Sequence, residues 1–594
     1  MGKWSIAVLL WTASVAAHGQ ELANRSLQGR YFFRHLLLQS STGMRTAYGV
    51  ITFDGVGGYA YTGSQIVGSA APTAFAGNGV YTVKSTGLLA LSNPQRPGAS
   101  IQAGLGQGAV VGASTGDAGV YDLFVAIAAP ASVQTNAAFN GTWDISALEF
   151  PGGSTAQRRN AAFRMIATGA GSGGTVSVSG KSAASLDRLE NSTVGNVAYT
   201  IAADGSGTLT LPGSGLLNGV RSLWLSADGS LALFGSSAPG VHDFWVGTKS
   251  AAAPAAFRNL FFRAGLRIDS GKPGSYSGSS SAAIPGRLVS SLRVRQPEGV
   301  LGLSSANPYS LAADGTGTID QGRLALGLES GAFQTNGLAD STNYELSLAV
   351  RAAAPSGAGV FVNPQGVVNA ASFAPVGAPL SPGGFFTIFG SGLAPSTAVA
   401  PGLPFPAALG GVQVLLNNTP VPLYFVSPTQ ISALAPFAVE GTSVTVAVLN
   451  NGQRSNSVEL PLSRTAPGIF TVNQAGTGHG ALLHANYSAV GPASPARRGE
   501  TVLLYLTGLG PVAPEAADGA AAPSNPLRTV QSDVKVYVGG RQAAVTFKGL
   551  APGFAGLYQV NFTVPANAPT GSAVALAIET PEAFHDMADI AVSN

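Results

Sequence analysis

With 594 residues, the chain exceeds the limit of about 250 to 300 residues beyond which single hydrophobic cores stop growing, so several domains are expected. Charged residues make up only 10% of the chain and the net charge is +3, which excludes the clustered Lys and Arg that nucleic-acid binding needs. The absence of cysteine excludes disulfides, cysteine nucleophiles and thiolate metal sites.

The N-terminus has the layout of an export signal. Lys3 precedes an apolar run from Ile6 to Ala17, and the polar Gln20 follows. This order is typical of a secretory signal peptide, and the run is shorter than the roughly 20 residues of a membrane-spanning helix. We therefore predict a signal peptide at residues 1–19, no membrane span after its cleavage, and a protein that is secreted, held at the cell surface or retained in the periplasm.

Three related units follow, predicted at residues 28–130, 137–250 and 256–354. Tyr-Phe-Phe-Arg at residues 31–34 matches Leu-Phe-Phe-Arg at residues 260–263. Tyr81, Tyr199 and Tyr309 occupy equivalent places inside the units. Internal repetition of this kind sets the folding unit, so one architecture should account for all three.

Short strands joined by tight turns are expected within each unit. Residues 50–53 and 59–62 alternate in the period of two that buries one face of a strand. Asp-Gly pairs at residues 54–55, 204–205 and 314–315 supply hairpin turns. The fold class is therefore all-β, with tandem antiparallel modules that form small barrels or sandwiches; one propeller built by all three units is the alternative.

Linkers and a further repeat complete the chain. Ala-Ala-Pro follows the units at residues 128–130, 252–254 and 353–355, which predicts small contacts between independently moving units. In the C-terminal part, residues 382–393 parallel residues 498–510. Two Ig-like β-sandwiches, at residues 365–475 and 476–594, are expected from this second repeat.

The C-terminal repeat also carries a family resemblance. Asn-Ala-Ala-Ser-Phe at residues 369–373, Ala-Pro-Gly-Ile-Phe-Thr at residues 466–471 and Thr-Gly-Leu-Gly at residues 507–510 are its motifs. The region from about residue 364 to residue 594 resembles an uncharacterised C-terminal domain of secreted acidobacterial proteins. The resemblance implies an Ig-like fold of the IPT/TIG type and an extracytoplasmic setting, and it brings no catalytic residues.

Two sequence motifs match functional patterns but lack the structural context that those functions need. Residues 112–116 match the nucleophile elbow of hydrolases, but no helix pattern follows them. Residues 169–174 match the dinucleotide-binding fingerprint, but they lie between two strands, where a hairpin loop explains the glycines. His479 and His484 lie five residues apart in a Gly-rich stretch without the further ligands of a zinc site. We predict no catalytic, cofactor-binding or metal-binding residues, and no cofactor.

Four strand aromatics are the candidate ligand contacts, because exposed rings build glycan platforms: Tyr59, Tyr61, Trp224 and Trp245. Core packing is the favoured alternative for all four, since strand aromatics are mostly buried.

These observations predict a non-catalytic exported protein that presents binding or spacer modules, in cell-surface adhesion or matrix interaction. Its partner would be an extracellular glycan or protein. The alternative is a glycan-active hydrolase or carbohydrate-binding protein with Ig-like accessory domains. A hydrolase of that class needs two carboxylates about 5 to 10 Å apart in a cleft, and only 28 acidic residues are present.

Overall fold

A computed structural model describes residues 22–594 except 40–42, 214, 251–256, 320–321, 328–330, 339 and 341. The predicted signal peptide, residues 1–19, lies outside the described residues. The described chain is all-β, as predicted, and its helices are short 3-10 turns at Asn24–Ser26, Asn136–Ala138, Pro151–Gly153 and Thr155–Gln157. None of the described helices is long and apolar enough to cross a membrane.

The first unit is a closed eight-stranded antiparallel barrel, sealed by pairing of its first strand with its eighth. Its strands are β1 (Gln28–Gln39), β2 (Gly43–Asp54), β3 (Gly58–Val67), β4 (Thr73–Val83), β5 (Leu88–Ser92), β6 (Ser100–Gly106), β7 (Ala109–Ala113) and β8 (Val120–Ala128).

The second unit is also a closed eight-stranded barrel, in which the first strand pairs with both the second and the last. Its strands are β9 (Asn140–Phe150), β10 (Arg159–Thr168), β11 (Ser172–Ser182), β12 (Leu189–Ile201), β13 (Ser206–Leu211), β14 (Gly219–Leu225), β15 (Leu231–Gly235) and β16 (His242–Lys249).

The third unit repeats this plan, and its first and last strands pair along their length. Its strands are β17 (Leu260–Asp269), β18 (Lys272–Ser281), β19 (Arg287–Gln296), β20 (Gly299–Leu311), β21 (Thr316–Ile319), β22 (Gly322–Leu326), β23 (Ala332–Asn336) and β24 (Asn343–Arg351). The three units are therefore barrels, and neither sandwiches nor blades of one propeller.

Alternating strand residues fill the barrels. In the first barrel the ring centroids of Phe33 and Phe124 lie 6.2 Å apart. In the second, Trp143 stacks on Phe139 with centroids 4.3 Å apart. Phe261 is fully buried inside the third. Because the rings of each barrel pack against one another, the interiors are hydrophobic cores.

The outward faces of several strands are apolar as well. Leu36 of β1, Leu148 of β9 and Phe262 of β17 are fully buried in one cluster that all three barrels share. The prediction of small contacts between the units is therefore wrong. That prediction rested on the linkers, whereas the contacts come from strands that are apolar on both faces. Residues 36–38 of β1, which are all leucine, are an example.

Gly104 of β6 shows how closely the first and third barrels approach. A Cβ atom built on Gly104 would lie 2.2 Å from the Cβ atom of Phe262, far inside van der Waals contact. Any side chain at this position must push the two barrels apart.

The strands of the first C-terminal sandwich are β25 (Phe361–Asn369), β26 (Phe385–Ser391), β27 (Ala398–Val399), β28 (Val412–Leu416), β29 (Thr419–Pro420), β30 (Leu423–Val426), β31 (Gln430–Leu434), β32 (Ser443–Asn450), β33 (Gln453–Arg454) and β34 (Val458–Pro461). One sheet contains β25, β26, β31, β30 and β27, and the other contains β29, β28, β32 and β33, with β34 paired to β32. Phe386 and Val446 are fully buried in its core.

The second sandwich includes β35 (Gly468–Ile469), β36 (Gly478–His479), β37 (Leu482–His484), β38 (Ala496–Arg497), β39 (Thr501–Thr507), β40 (Val512–Ala513), β41 (Thr529–Val530), β42 (Lys535–Val538), β43 (Arg541–Leu550), β44 (Tyr558–Thr563), β45 (Gly571–Glu579) and β46 (Ala583–Ser593). Strand β35 pairs with β39, so the chain enters this sandwich before residue 476. Leu504 and Phe562 are fully buried in its core.

One pairing joins this sandwich to the third barrel. The start of β46 lies parallel to β20, with Gly302 opposite Ala583 and Ser305 opposite Asp586. The Gly302 N–H donates to the Glu582 carbonyl at 3.0 Å. A backbone ladder therefore connects the barrels to the C-terminal domain.

Candidate functional site

The four aromatics singled out from the sequence are all buried. Their exposed fractions are 4% for Tyr59, 9% for Tyr61, 8% for Trp224 and 0% for Trp245. Tyr59 and Tyr61 lie together in the first barrel, with ring centroids 6.2 Å apart, whereas Trp245 is inside the second barrel and Trp224 is in the shared core. The four rings are not brought together and form no exposed platform.

Hydrogen bonds hold three of these aromatics in place. The Tyr59 hydroxyl donates to the Ser92 carbonyl at 2.5 Å, and burial raises the Tyr59 pKa to about 12. The Trp245 N–H donates to Glu149 at 3.1 Å. The Tyr61 hydroxyl donates to the Pro94 carbonyl at 3.3 Å. Each polar tip thus has a partner inside the protein, as buried Tyr and Trp normally do.

The main polar feature of the barrels was not predicted. The last strand of each barrel carries a carboxylate that faces a network of buried polar groups: Asp122 in β8, Asp243 in β16 and Glu345 in β24. A signal was present in the sequence, because an acidic residue recurs near the start of each closing apolar strand. An ionised carboxylate is costly to bury unless it is paired, so each network must supply partners.

In the first barrel, Asp122 is completely buried. The Ser114 N–H donates to its Oδ1 atom at 2.5 Å, and the His35 Nε2 atom lies 2.9 Å from Oδ2. The Asn93 amide donates to Oδ2 at 3.4 Å. These partners satisfy the carboxylate within the barrel wall.

In the second barrel, Asp243 has partners from two barrels. The Ser236 N–H donates to its Oδ1 atom at 2.9 Å, and Arg221 of the same barrel lies 2.9 Å from Oδ2. Arg34 of the first barrel pairs with Asp243 and also donates from Nε to its backbone carbonyl at 2.8 Å. Gly235 makes room, because a Cβ atom there would lie 1.9 Å from the Arg34 guanidinium carbon.

Glu149 extends this second network. Arg221 donates to its Oε1 atom at 2.6 Å, so one guanidinium bridges Glu149 and Asp243. Burial raises the pKa of Glu149, although the charge of Arg221 opposes that shift. Glu149 and Asp243 are thus two carboxylates held by one arginine, but their exposed fractions are 2% and 0%. Covered and neutralised by arginine, they are not available to a substrate in this conformation.

In the third barrel, Glu345 receives the Tyr276 hydroxyl at 2.5 Å and the Arg263 guanidinium at 3.3 Å. Burial would raise the pKa of Glu345, but the charge of Arg263 and the hydrogen bond from Tyr276 hold it below its usual value. Glu345 therefore remains ionised inside the barrel.

The mouth of the third barrel has a shallow cavity of about 200 Å³. It lies at the turns after β17 and β19 and is lined by Arg267, Asp269, Lys272, Pro273, Gly274, Gln296, Pro297 and Glu298. Lys272 and Glu298 form an exposed ion pair at 2.7 Å. The cavity is polar and open to solvent, and it holds both signs of charge. In the described residues, no group of three or more His, Asp or Glu side chains is placed to hold a metal ion.

Two Asp-Gly turns also contribute to the contacts between barrels. Asp204 and Asp314 each accept the N–H of the residue two positions on, at 3.0 Å, as expected for turn residues. Asp204 also pairs with Arg30 of the preceding barrel at 3.2 Å, and Asp314 with Arg164 at 2.5 Å. The same contact is thus repeated from the first barrel to the second and from the second to the third.

Comparisons with known proteins identify one domain. No curated protein matches the chain. Two solved structures of the extracellular region of plexin A4 are similar to this chain. The first is 6% identical and covers 92% of this chain and 78% of that chain, with a TM-score of 0.12. The second is 7% identical and covers 94% of this chain and 68% of that chain, with a TM-score of 0.13. Residues 370–462, which make up most of the first sandwich, match the family described as IPT/TIG domain. This part of the chain is therefore similar to IPT/TIG domains, which is consistent with an Ig-like fold.

Proposed function

We propose that the protein is a non-catalytic, exported protein that presents binding and spacer modules outside the cytoplasm, in cell-surface adhesion or matrix contact. The observation that carries this proposal is the burial of the carboxylates in the closing strands of its barrels. Asp122, Asp243 and Glu345 are each held by partners from the fold itself. Because these carboxylates are largely buried and engaged with groups of the fold, they serve the scaffold and do not face an open cleft.

The connections between domains support a role as a rigid presenter. Three barrels share one hydrophobic cluster, and a backbone ladder joins the third to the C-terminal sandwich. The proposed division is a signal peptide at residues 1–19, barrels near 28–130, 137–250 and 256–354, and two Ig-like domains over 365–594. The IPT/TIG domain agrees with an extracytoplasmic binding role.

The open, charged mouth of the third barrel favours carbohydrate binding as a second candidate. Arg267 and Asp269 can provide donors and acceptors to a sugar's hydroxyl groups there. This candidate requires binding without bond cleavage, since the paired carboxylates of the second barrel are covered.

A glycan and matrix-protein array with the purified mature chain tests both candidates. We expect retention on at least one immobilised glycan or matrix protein, with no released sugar in the supernatant. Arg267→Ala should abolish retention if the third barrel binds the glycan, and Arg287→Ala, outside the cavity, is the control. Release of sugar that Glu149→Gln abolishes would overturn the non-catalytic proposal.

A further inference from the structure

In the third barrel, a strand of the C-terminal sandwich pairs with the free edge of the fourth barrel strand, β20. Strand β20 pairs with β21 only over its last three residues, Tyr309 to Leu311. The preceding part of that edge would expose backbone N–H and C=O groups, and residues 302–305 there pair with β46 instead. The added strand runs parallel to β20, and Leu303 lies opposite Phe584.

The first barrel has the same edge. Strand β4 pairs with β5 only from Tyr81 to Val83, and Tyr81 is the counterpart of Tyr309. Residues 302–305 precede Tyr309 by seven to four positions, and the same offsets before Tyr81 give residues 74–77. On this side of β4, no described residue pairs with residues 74–77; their described ladder runs to β3 on the other side.

The exposure of these residues agrees with an unoccupied edge. Ala74, Ala76 and Gly77 are exposed, and Phe75 is half-buried against Tyr61, with ring centroids 4.7 Å apart. In the third barrel, Gly302 uses its N–H to bind Glu582. Ala74 and Ala76 hold the positions of Gly302 and Ser304, so their N–H and C=O groups should point to the corresponding side of β4. Val80, further along this alternation, already binds the Ser92 hydroxyl at 2.9 Å from that side.

The edge of β4 also lacks the usual protection. Natural sheets guard exposed edges with charged residues, proline or bulges, and residues 73–80 contain no charge and no proline. The second barrel differs at this point. Arg188 precedes its counterpart strand, β12, and Glu190 lies near the start of that strand. Gly215 approaches Ser192 of the same strand, and Leu217 is fully buried in the core.

We propose that residues 74–77 of β4 bind an extended segment of a partner polypeptide through its backbone, added as a parallel strand in the way β20 accepts β46. Main-chain hydrogen bonds provide affinity in such strand addition, and alternate side chains provide specificity. The partner should place an aromatic or large aliphatic side chain opposite Phe75, as Phe584 lies opposite Leu303. This inference rests on the proposed binding role and names the surface that would serve it.

The test is fluorescence anisotropy with the full mature chain and a labelled peptide of residues 581–588, which contains the four residues that pair with β20. We expect saturable binding to the wild type and at least tenfold weaker binding to Ala76→Pro, which removes an edge N–H at a position where proline is tolerated. Ala76→Val keeps the N–H and is the matched control, with affinity within about twofold of the wild type.

A second reagent keeps the test decisive if Ala76→Pro does not fold. The same peptide, N-methylated at the Phe584 position, removes a donor from the peptide and should also bind at least tenfold more weakly than the unmodified one. Absence of saturable binding, or equal binding to wild type and folded Ala76→Pro, would overturn the inference. So would self-association of the wild type that Ala76→Pro abolishes, because the occupant would then be a second copy. Failure here leaves array binding through another surface intact, so the proposed function is judged separately.

Discussion

Arg34 and Asp243 form a completely buried ion pair between the first and second barrels. The contact joins two folding units, because the arginine belongs to the first barrel and the aspartate to the second. A buried pair of this kind is costly to break, because its loss leaves a charge without its partner in a medium of low polarity.

We expect Arg34→Ala to lower the free energy of unfolding by about 3 kcal/mol or more. The variant removes the positive charge of Arg34, whereas Asp243 and Arg221 remain buried. Arg30→Ala is the control. It removes an exposed pair across the same interface, with side chains 40% and 47% exposed, and should cost less than about 1 kcal/mol. Chemical denaturation measures both, and equal losses would contradict the role assigned to Arg34.

The shared core predicts that the three barrels unfold together. Phe262→Ala should destabilise the assembly by about 3 to 5 kcal/mol, because the ring is fully buried between barrels. Gly104→Ala should destabilise it through collision with Phe262, and the double variant should lose less than the sum of the two. Ile166→Ala, at a side chain 68% exposed, is the control. Scanning calorimetry that resolves three independent barrel transitions would refute the shared core.

His585 predicts a specific loss of stability in acid. The ring is fully buried, and burial lowers its pKa from 6.5 to about 4. Its Nε2 atom accepts the Ile469 N–H at 3.3 Å, which requires the neutral form. Because the folded pKa lies below the unfolded one, the stabilisation is complete above pH 6.5 and is lost as the pH falls towards 4.

The expected loss over this range is about 3 kcal/mol. His585→Gln retains an acceptor for Ile469 but does not titrate. The difference between the unfolding free energies of wild type and variant, followed from pH 7.5 to pH 4, isolates this histidine from the carboxylates. A difference that is independent of pH would show that His585 does not control acid stability.

Export can be tested on the precursor. Leu9→Asp with Leu10→Asp places two charges in the apolar run and should retain the precursor inside the cell. Leu9→Ile with Leu10→Ile preserves the apolar character and is the control. N-terminal sequencing of the native protein should begin after Ala17 or Gly19. A mature protein that still begins at Met1 in the cytoplasm would contradict secretion.

The all-β class was predictable because alternation and Asp-Gly turns are local signals. It was harder to predict which residues of a strand point into the barrel and which point out of it. The sequence aligns Phe33 with Phe262, yet Phe33 is inside its barrel whereas Phe262 lies outside in the shared core. The aligned arginines differ likewise: Arg34 leaves its barrel to meet Asp243, and Arg263 turns inward to Glu345. A shift of one residue reverses the face of a strand, and similarity of letters does not detect it.

The candidate site follows the same division. Tyr59 and Trp245 could be assigned to the core because strand aromatics are mostly buried. The network of Arg34, Asp243 and Glu149 could not be predicted, since its members are far apart in sequence and meet only when two barrels pack. The recurrence of an acidic residue in each closing strand was visible, but its partners depend on tertiary structure.

The pairing of β46 with β20 has a consequence for the order of folding. Ala583 to Asp586 are synthesised long after Gly302, and they complete an edge that begins at Gly302. Until they arrive, the third barrel presents an unpaired strand to its surroundings, and an open edge is a template for association with other chains. Truncation from the C-terminus would therefore leave a barrel, far upstream in the sequence, permanently open to such association.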